Sequence, residues 1–420
     1  MKKYLNIGVN KRLLENFFSL SILQIANYII PLITLPYLVR VLLPSNYGLL
    51  AFAQALIQYF NVFTDYGFNF SATREISIYR HNKEKVSAIF SSVMTLKILF
   101  VFISLSILSL IIFSFDKLRS EWLLYYCTFG IVIGQNMFPR WFFQGIEQMK
   151  YITILNLISR IIFTISIFVV VKSSNDYLYV PIINSLGFIL AGILSLWVAF
   201  YTFKIRFIIP TFADLKYQLV EGWHLFISTL ATSLYTTSNV FILGLFADSI
   251  IVGYYSAAER IVKAIEDFLS PIFYSVYPYL SRLYTESKQD AIKFIRKLVK
   301  YVGFIGVIIT VMVLSFTNLI VKILLGSHYL EAIVVLKILA FIPLVGGINI
   351  ITTSLTMLSF NYKKAFSNII IFAGIFNLGL SFLLVPYYKH IGSSISVLLS
   401  EVFIMLITFI YLKRKNINLI

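Results

Sequence analysis

Apolar stretches of bilayer-spanning length recur along the whole chain. They lie at about 14–40, 47–68, 86–113, 123–144, 151–171, 177–203, 222–247, 250–280, 299–320, 332–358, 365–385 and 391–412. A crossing helix needs about 20 such residues. Within lipid, only helices and closed barrels satisfy their own backbone polar groups. These runs are too long and too uniformly apolar for barrel strands. The pattern therefore predicts an all-α polytopic membrane protein of about twelve transmembrane helices. The first run, Phe17 to Leu43, exceeds the apolar core of a signal peptide and lacks a small-residue cleavage site. It is expected to be a retained first span.

The polar segments between these runs are short, and the longest is about 281–298. There Ala291, Phe294, Ile295, Leu298 and Val299 fall at i, i+3, i+4, i+7 and i+8, which predicts an amphipathic helix on the inner membrane surface. Its cations suit an anionic cytoplasmic leaflet. With the N-terminus inside, basic residues of segments 2–12, 74–85, 140–150, 204–216, 282–300, 363–364 and 413–415 are all cytoplasmic. The outer segments hold only Arg40, Lys117, Arg119, Lys172, Lys322 and Lys389. That bias predicts both termini in the cytoplasm.

Composition agrees with lipid as the main solvent. Of 420 residues, 59% are hydrophobic and 13% charged, with mean hydropathy +0.87. Soluble domains carry roughly 25% charged residues. The net charge of +17 is largely the inner-loop bias, so nucleic acid is not an expected partner. The single cysteine, Cys127, excludes an intrachain disulfide. His81, His224, His328 and His390 show no metal-ligand spacing, and neither a structural metal nor a cofactor is expected.

An internal repeat is visible. The segment from Asn46 to Gln54 resembles that from Ile251 to Glu259, at an offset of 205. Each copy follows a long apolar run and opens another. With an even span count this predicts two six-helix lobes, 1–210 and 211–420. Six is even, so both halves enter from the same side and their pseudo-axis runs along the membrane normal. Transporters so built bind substrate between the halves.

Ionisable groups inside a span cost roughly 2.5–3.5 kcal/mol each near the helix centre. The densest group is Glu259, Arg260, Lys263, Glu266 and Asp267, all within an arc of about 120° on span 8. One reading is a cavity wall that meets an anionic substrate. The other is internal pairing of Glu259 with Lys263 and of Lys263 with Asp267. Arg40, at the outer end of span 1, is either a snorkelling anchor or a cavity cation. Lys97 and Arg160 are isolated in mid-span, and each must find a cavity, a phosphate or an acid. Lys337 is also mid-span. Glu401, in the last span, could pair with a cation or carry a coupling proton. Asp65 and Arg140 lie toward cytoplasmic helix ends. Pro31, Pro36, Pro139, Pro181, Pro271, Pro278 and Pro343 permit kinks, with two each in spans 1 and 8.

The stretch Pro31-Leu32-Ile33-Thr34-Leu35-Pro36-Tyr37-Leu38-Val39-Arg40-Val41-Leu42, then Tyr47-Gly48, then Thr64-Asp65-Tyr66-Gly67-Phe68, carries a family resemblance. So do Ala72-Thr73-Arg74-Glu75, Pro139-Arg140-Trp141-Phe142-Phe143-Gln144-Gly145 and Gly253-Tyr254-Tyr255-Ser256-Ala257-Ala258-Glu259-Arg260. The chain resembles the polysaccharide-transporter branch of the multidrug/oligosaccharidyl-lipid/polysaccharide exporter superfamily, and within it the O-antigen flippases commonly called Wzx. The resemblance implies two six-helix lobes around a central cationic cavity in the bacterial inner membrane. It implies transport of undecaprenyl-pyrophosphate-linked repeat units from the cytoplasmic to the periplasmic leaflet, alongside other polysaccharide assembly proteins. In such relatives spans 1, 2, 7 and 8 line the cavity, which favours Arg40 and Arg260 as lumenal. There is one departure: relatives commonly have Gly where this chain has Leu43.

Two other functions fit less of the pattern. A multidrug exporter of the same fold would favour acids over cations in the cavity, and span 8 is mixed. A polysaccharide polymerase or lipid-linked glycosyltransferase would need a sizeable exposed catalytic loop. No such loop and no nucleotide-binding loop is seen, so enzymatic activity is not expected.

Overall fold

The computed structural model describes residues 2–419, with side chains described except at 2–18, 20, 21, 28, 235, 268–275 and 278. The side chains of Lys2, Lys3, Lys11, Arg12, Pro271 and Pro278 therefore lie outside the described residues. The α-helices run in the order α1 (Lys2–Asp65), α2 (Phe68–Tyr79), α3 (Lys83–Ser114), α4 (Asp116–Arg119), α5 (Trp122–Met137), α6 (Arg140–Gly145) and α7 (Met149–Val170). They continue as α8 (Tyr179–Trp197), α9 (Phe212–Phe246), α10 (Ser249–Glu286), α11 (Lys288–Ile320), α12 (Ala332–Leu339), α13 (Ile342–Asn349) and α14 (Lys363–Arg414). No strand occurs among the described residues.

Seven helical stretches among the described residues are long and apolar enough to cross a membrane. An eighth is α9, bent by 53° between Leu234 and Thr236. The chain is thus a multi-pass α-helical membrane protein. Helix α1 has 64 residues and α14 has 52. At about 1.5 Å per residue each far exceeds one bilayer thickness. Each is broken at one residue of non-helical backbone, Leu43 (φ 62°, ψ 167°) and Lys389 (φ 49°, ψ −125°). The breaks fall between apolar stretches, whereas Pro31 and Pro36 lie inside helix.

The 281–298 segment differs from expectation. It is not one surface helix but a junction, with α10 ending at Glu286 and α11 starting at Lys288. Ser287 is extended (φ −154°, ψ 107°), and its hydroxyl accepts from the Asp290 N–H at 3.3 Å. Such a cap satisfies an otherwise orphaned donor and favours a fresh start over continuation. The amphipathic spacing itself holds: Ala291 and Ile295 are fully buried.

The chain forms two compact units. The first comprises Met1–Thr34 and Ala53–Leu230, the second Leu35–Phe52 and Ala231–Ile420. In the first unit, α5 packs on α8 through small residues. A Cβ at Gly130 would come within 2.6 Å of Ser185 Cβ, and one at Gly134 within 2.5 Å of the Ile189 nitrogen. Close backbone approach of this kind drives helix association in lipid, where burying apolar surface gains little. A buried aromatic core of Phe90, Trp141, Phe142 and Phe143 packs beside it.

In the second unit, α10 crosses the part of α1 around Gly48. A Cβ at Gly48 would overlap the Ser249 carbonyl and lie 2.7 Å from the Gly253 nitrogen. A Cβ at Gly253 would overlap the Pro44 carbonyl. Both pairs, 44 with 249 and 48 with 253, are separated by the repeat offset of 205. Reciprocal contacts between equivalent positions are what a two-fold axis generates. The hydroxyls of Ser45 and Ser249 meet beside it at 3.1 Å. A separate apolar core at the other end of this unit gathers Leu280, Ile295, Ile351, Ile404 and Leu412.

Candidate functional site

The polar residues expected within spans fall into separate clusters. On α10 the Lys263 ammonium contacts the Glu259 carboxylate at 3.0 Å, so the expected i,i+4 pair is formed. Glu259 is the more enclosed partner, at 15% exposure against 44% for Lys263. Arg260 is exposed beside them and acts electrostatically on Tyr47 and Asp267. One turn further on, the Glu266 carboxylate lies against Gly346 of α13, with Oε1 2.6 Å from where a Cβ would stand. A larger residue there would have to displace that carboxylate.

Glu401 of α14 joins this group. Its Oε2 accepts from the Asn349 side-chain nitrogen at 2.6 Å, and that nitrogen also reaches the Glu401 carbonyl at 2.9 Å. The Glu401 charge acts on Glu266. Glu259, Arg260, Lys263, Glu266, Asp267 and Glu401 are therefore brought into one neighbourhood by α10, α13 and α14. Asn349, which holds Glu401, carries no charge and went unnoticed in the sequence. Its place at the end of α13, before the π-helical turn 350–357, is the only local signal.

Arg40 lies elsewhere in the same unit. Its guanidinium donates to the Ile323 carbonyl. That carbonyl belongs to the π-helical turn 321–325 that ends α11, where carbonyls lack intrahelical partners and attract cations.

Lys97 and Arg160 belong to the first unit. Lys97 is only 3% exposed and faces the Asp65 carboxylate at 3.6 Å. Asp65 also accepts from the Asn69 side chain at 2.7 Å, and Arg140 acts on the same carboxylate. Of the partners open to Lys97 it has found an acid, from a residue 32 positions away. Arg160 is half-buried on α7.

The motif blocks of this unit assemble around that pair. Tyr66 and Gly67 both have positive φ (47° and 77°), and they turn the chain from α1 into α2. A Cβ on Gly67 would stand 2.7 Å from Leu225 Cβ, so both backbone and space require glycine. Thr73 of α2 donates to the Trp141 carbonyl at 3.2 Å, and a Cβ on Gly145 would strike Ile76 at 2.6 Å. Arg80 pairs with Glu147 at 2.7 Å. The block Trp141-Phe142-Phe143 is fully buried, and its rings pack on Phe90 of α3, Tyr151 of α7 and Phe203.

Long apolar helices that carry these charged faces define a polytopic membrane transporter fold. The chain belongs to the polysaccharide biosynthesis protein family, whose model matches residues 13–284. It is 32% identical over 403 residues to a putative O-antigen transporter of Escherichia coli (strain K12), covering 96% of this chain and 97% of that one. The fold is similar to the lipid II flippase MurJ in an inward closed conformation, with TM-score 0.74 and 14% identity over 94% of this chain and 87% of that one. It is also similar to the inward-facing conformation of a multidrug resistance MATE family transporter of the MOP superfamily. There the TM-score is 0.72 and the identity 12%, over 92% of this chain and 94% of that one.

Proposed function

We propose that this protein is a flippase for undecaprenyl-pyrophosphate-linked O-antigen or polysaccharide repeat units. It moves them from the cytoplasmic to the periplasmic leaflet of the bacterial inner membrane by alternating access. The observation that carries this is likeness along nearly the whole chain to the Escherichia coli putative O-antigen transporter. The chemistry supports it. A pyrophosphate is anionic and a glycan is hydrated, so both need a charged, wet path through hydrocarbon.

In this reading the chain crosses the membrane twelve times with both termini cytoplasmic. The lobes are 1–210 and 211–420, and a wet, charged path carries the substrate. Arg40, Arg260, Lys263, Arg160 and Lys97 supply the path's positive potential. Glu259, Glu266, Asp267 and Glu401 balance that charge or carry a coupling ion. Other polysaccharide assembly proteins receive the translocated unit. A multidrug exporter is the second reading, favoured by the likeness to the MATE transporter fold.

Deletion of the gene in its host separates these readings. Accumulation of lipid-linked repeat units on the cytoplasmic leaflet, with loss of surface glycan, is the expected result. Units that reach the periplasm but stay unpolymerised would indicate a polymerase. Unchanged glycan with raised drug sensitivity would indicate an exporter.

A further inference from the structure

The helical stretch from Ala53 to Asp65, in the first unit, has an unusual outer surface. Its exposed residues are Gln54 and Gln58, and Asn61 is half-buried on the same face. The spacing of Gln54, Gln58, Asn61 and Asp65 is 4, 3 and 4, one continuous helical stripe. The apolar residues between them, Ala55, Leu56, Ile57, Phe60 and Val62, are buried. Helix α3 in the same unit does the opposite, exposing Ile98, Leu99, Phe102, Leu110 and Phe113. Those are side chains suited to lipid.

Primary amides are not. An amide left without partners in hydrocarbon costs several kcal/mol. Among the described residues the only bond between these three amides is a long one, Asn61 Nδ2 to Gln58 Oε1 at 3.4 Å, and Asn61 Oδ1 is buried beneath them with no partner. A face built this way must meet water or a polar ligand.

The repeat register sharpens this. Adding the offset of 205 carries Gln54, Gln58 and Asn61 onto Glu259, Lys263 and Glu266. Both copies keep a polar stripe at i, i+4 and i+7. One copy is ionised; the other is neutral. Charged groups suit a phosphate. Uncharged amides, each with two donors and an acceptor, suit vicinal hydroxyls, which both donate and accept.

We infer that Gln54, Gln58 and Asn61 form a water-lined recognition face for the neutral sugar hydroxyls of the transported glycan. This rests on the flippase reading. The amides act on the sugar part of the substrate, and the cations act on its phosphates. The amide face therefore sets which repeat units are carried.

Two experiments test it. In the first, Gln54→Cys, Gln58→Cys, Asn61→Cys and, as a control, Phe102→Cys are placed on a Cys127→Ser background. They are treated with a membrane-impermeant methanethiosulfonate in cells and in inverted vesicles. The stripe should label and Phe102→Cys should not. Failure of all three stripe positions in both preparations would overturn the inference. In the second, a Gln54→Leu/Gln58→Leu variant replaces the native protein in the host. Export is measured for the complete repeat unit and for undecaprenyl pyrophosphate bearing only the first sugar. Export of the complete unit should fall by about tenfold or more, from the loss of two or more hydrogen bonds. Export of the single-sugar lipid should stay near native. An equal loss of both, or no loss of either, would overturn the glycan assignment. If deleting the gene leaves surface glycan intact, the flippase reading falls and takes the glycan assignment with it. The labelling result would then still report whether the face is wet.

Discussion

Gly48 and Gly253, 205 residues apart, meet where two helices cross, and each leaves room only for the other helix's backbone. The Gly48 position faces the Ser249 carbonyl and the Gly253 position faces that of Pro44. Because the contacts are reciprocal, the same methyl group should do the same damage on either side. Gly48→Ala and Gly253→Ala should each destabilise by about 1–3 kcal/mol, the usual cost of overpacking, or more against rigid backbone. Melting temperatures of the purified variants in detergent check this. Similar shifts for the two are expected, and an unchanged melting temperature in either would contradict the crossing.

Leu43 occupies a backbone conformation, φ 62° and ψ 167°, that is essentially reserved for glycine. Leu43→Gly should relieve strain of about 1–3 kcal/mol. Part of that gain, about 0.5–1 kcal/mol, is offset by glycine's larger loss of freedom on folding. A modest rise in melting temperature is expected. A fall would mean that the leucine side chain contributes more than the strain costs.

Lys97 and Asp65 form a pair in which the cation is almost wholly enclosed. Asp65 is also the acid on which Arg140 acts, so removing Asp65 leaves the enclosed Lys97 with no acid beside it, at a cost of about 3–5 kcal/mol. Asp65→Asn should therefore reduce the yield of folded, monodisperse protein sharply. Lys97→Met/Asp65→Asn should recover part of it, because the enclosed ammonium is removed while Arg140 still lacks its acid. Size-exclusion profiles of fluorescently tagged variants check this. A double variant no better than the single would show that the pair is not the reason for the loss.

Arg260 is exposed while Glu259, Lys263 and Glu266 on α10 are partly enclosed. If it meets the substrate's phosphates, Arg260→Ala should abolish surface glycan in a complementation assay, and Arg260→Lys should restore much of it. Normal glycan in the alanine variant would remove Arg260 from the site.

Gly346 is the floor against which the Glu266 carboxylate rests. Gly346→Ala would push that carboxylate away and disturb its relation to Glu401. Transport should fall by about tenfold if the geometry of these acids matters, the scale of a displaced charged hydrogen-bonding group. Transport at native level would show that the acids only balance charge.

The site was only partly legible beforehand. The α10 stripe could be read because 3.6-residue periodicity places Glu259, Lys263 and Glu266 on one face whatever the fold. The partner of Lys97 could not, because Asp65 comes from another helix and nothing local marks the pair. Arg40 offered the choice of anchor or cavity, whereas its partner is a carbonyl that exists only where α11 ends at a π-helical turn. Asn349 is an ordinary polar residue until folding sets it beside Glu401.

Much about this protein is local and so belongs to its sequence alone. Spans follow from runs of apolar side chains, because hydrocarbon admits only self-satisfied backbone. The half-chain repeat survives as a register of 205 residues. Tertiary structure decided what is not local. It showed that the buried Trp141-Phe142-Phe143 block packs against Phe90, Tyr151 and Phe203. It separated exposed amides on α1 from exposed apolar chains on α3. It also joined the repeat's equivalent glycines at one crossing. Those outcomes depend on which helix faces meet, and that is set by packing across long sequence separations.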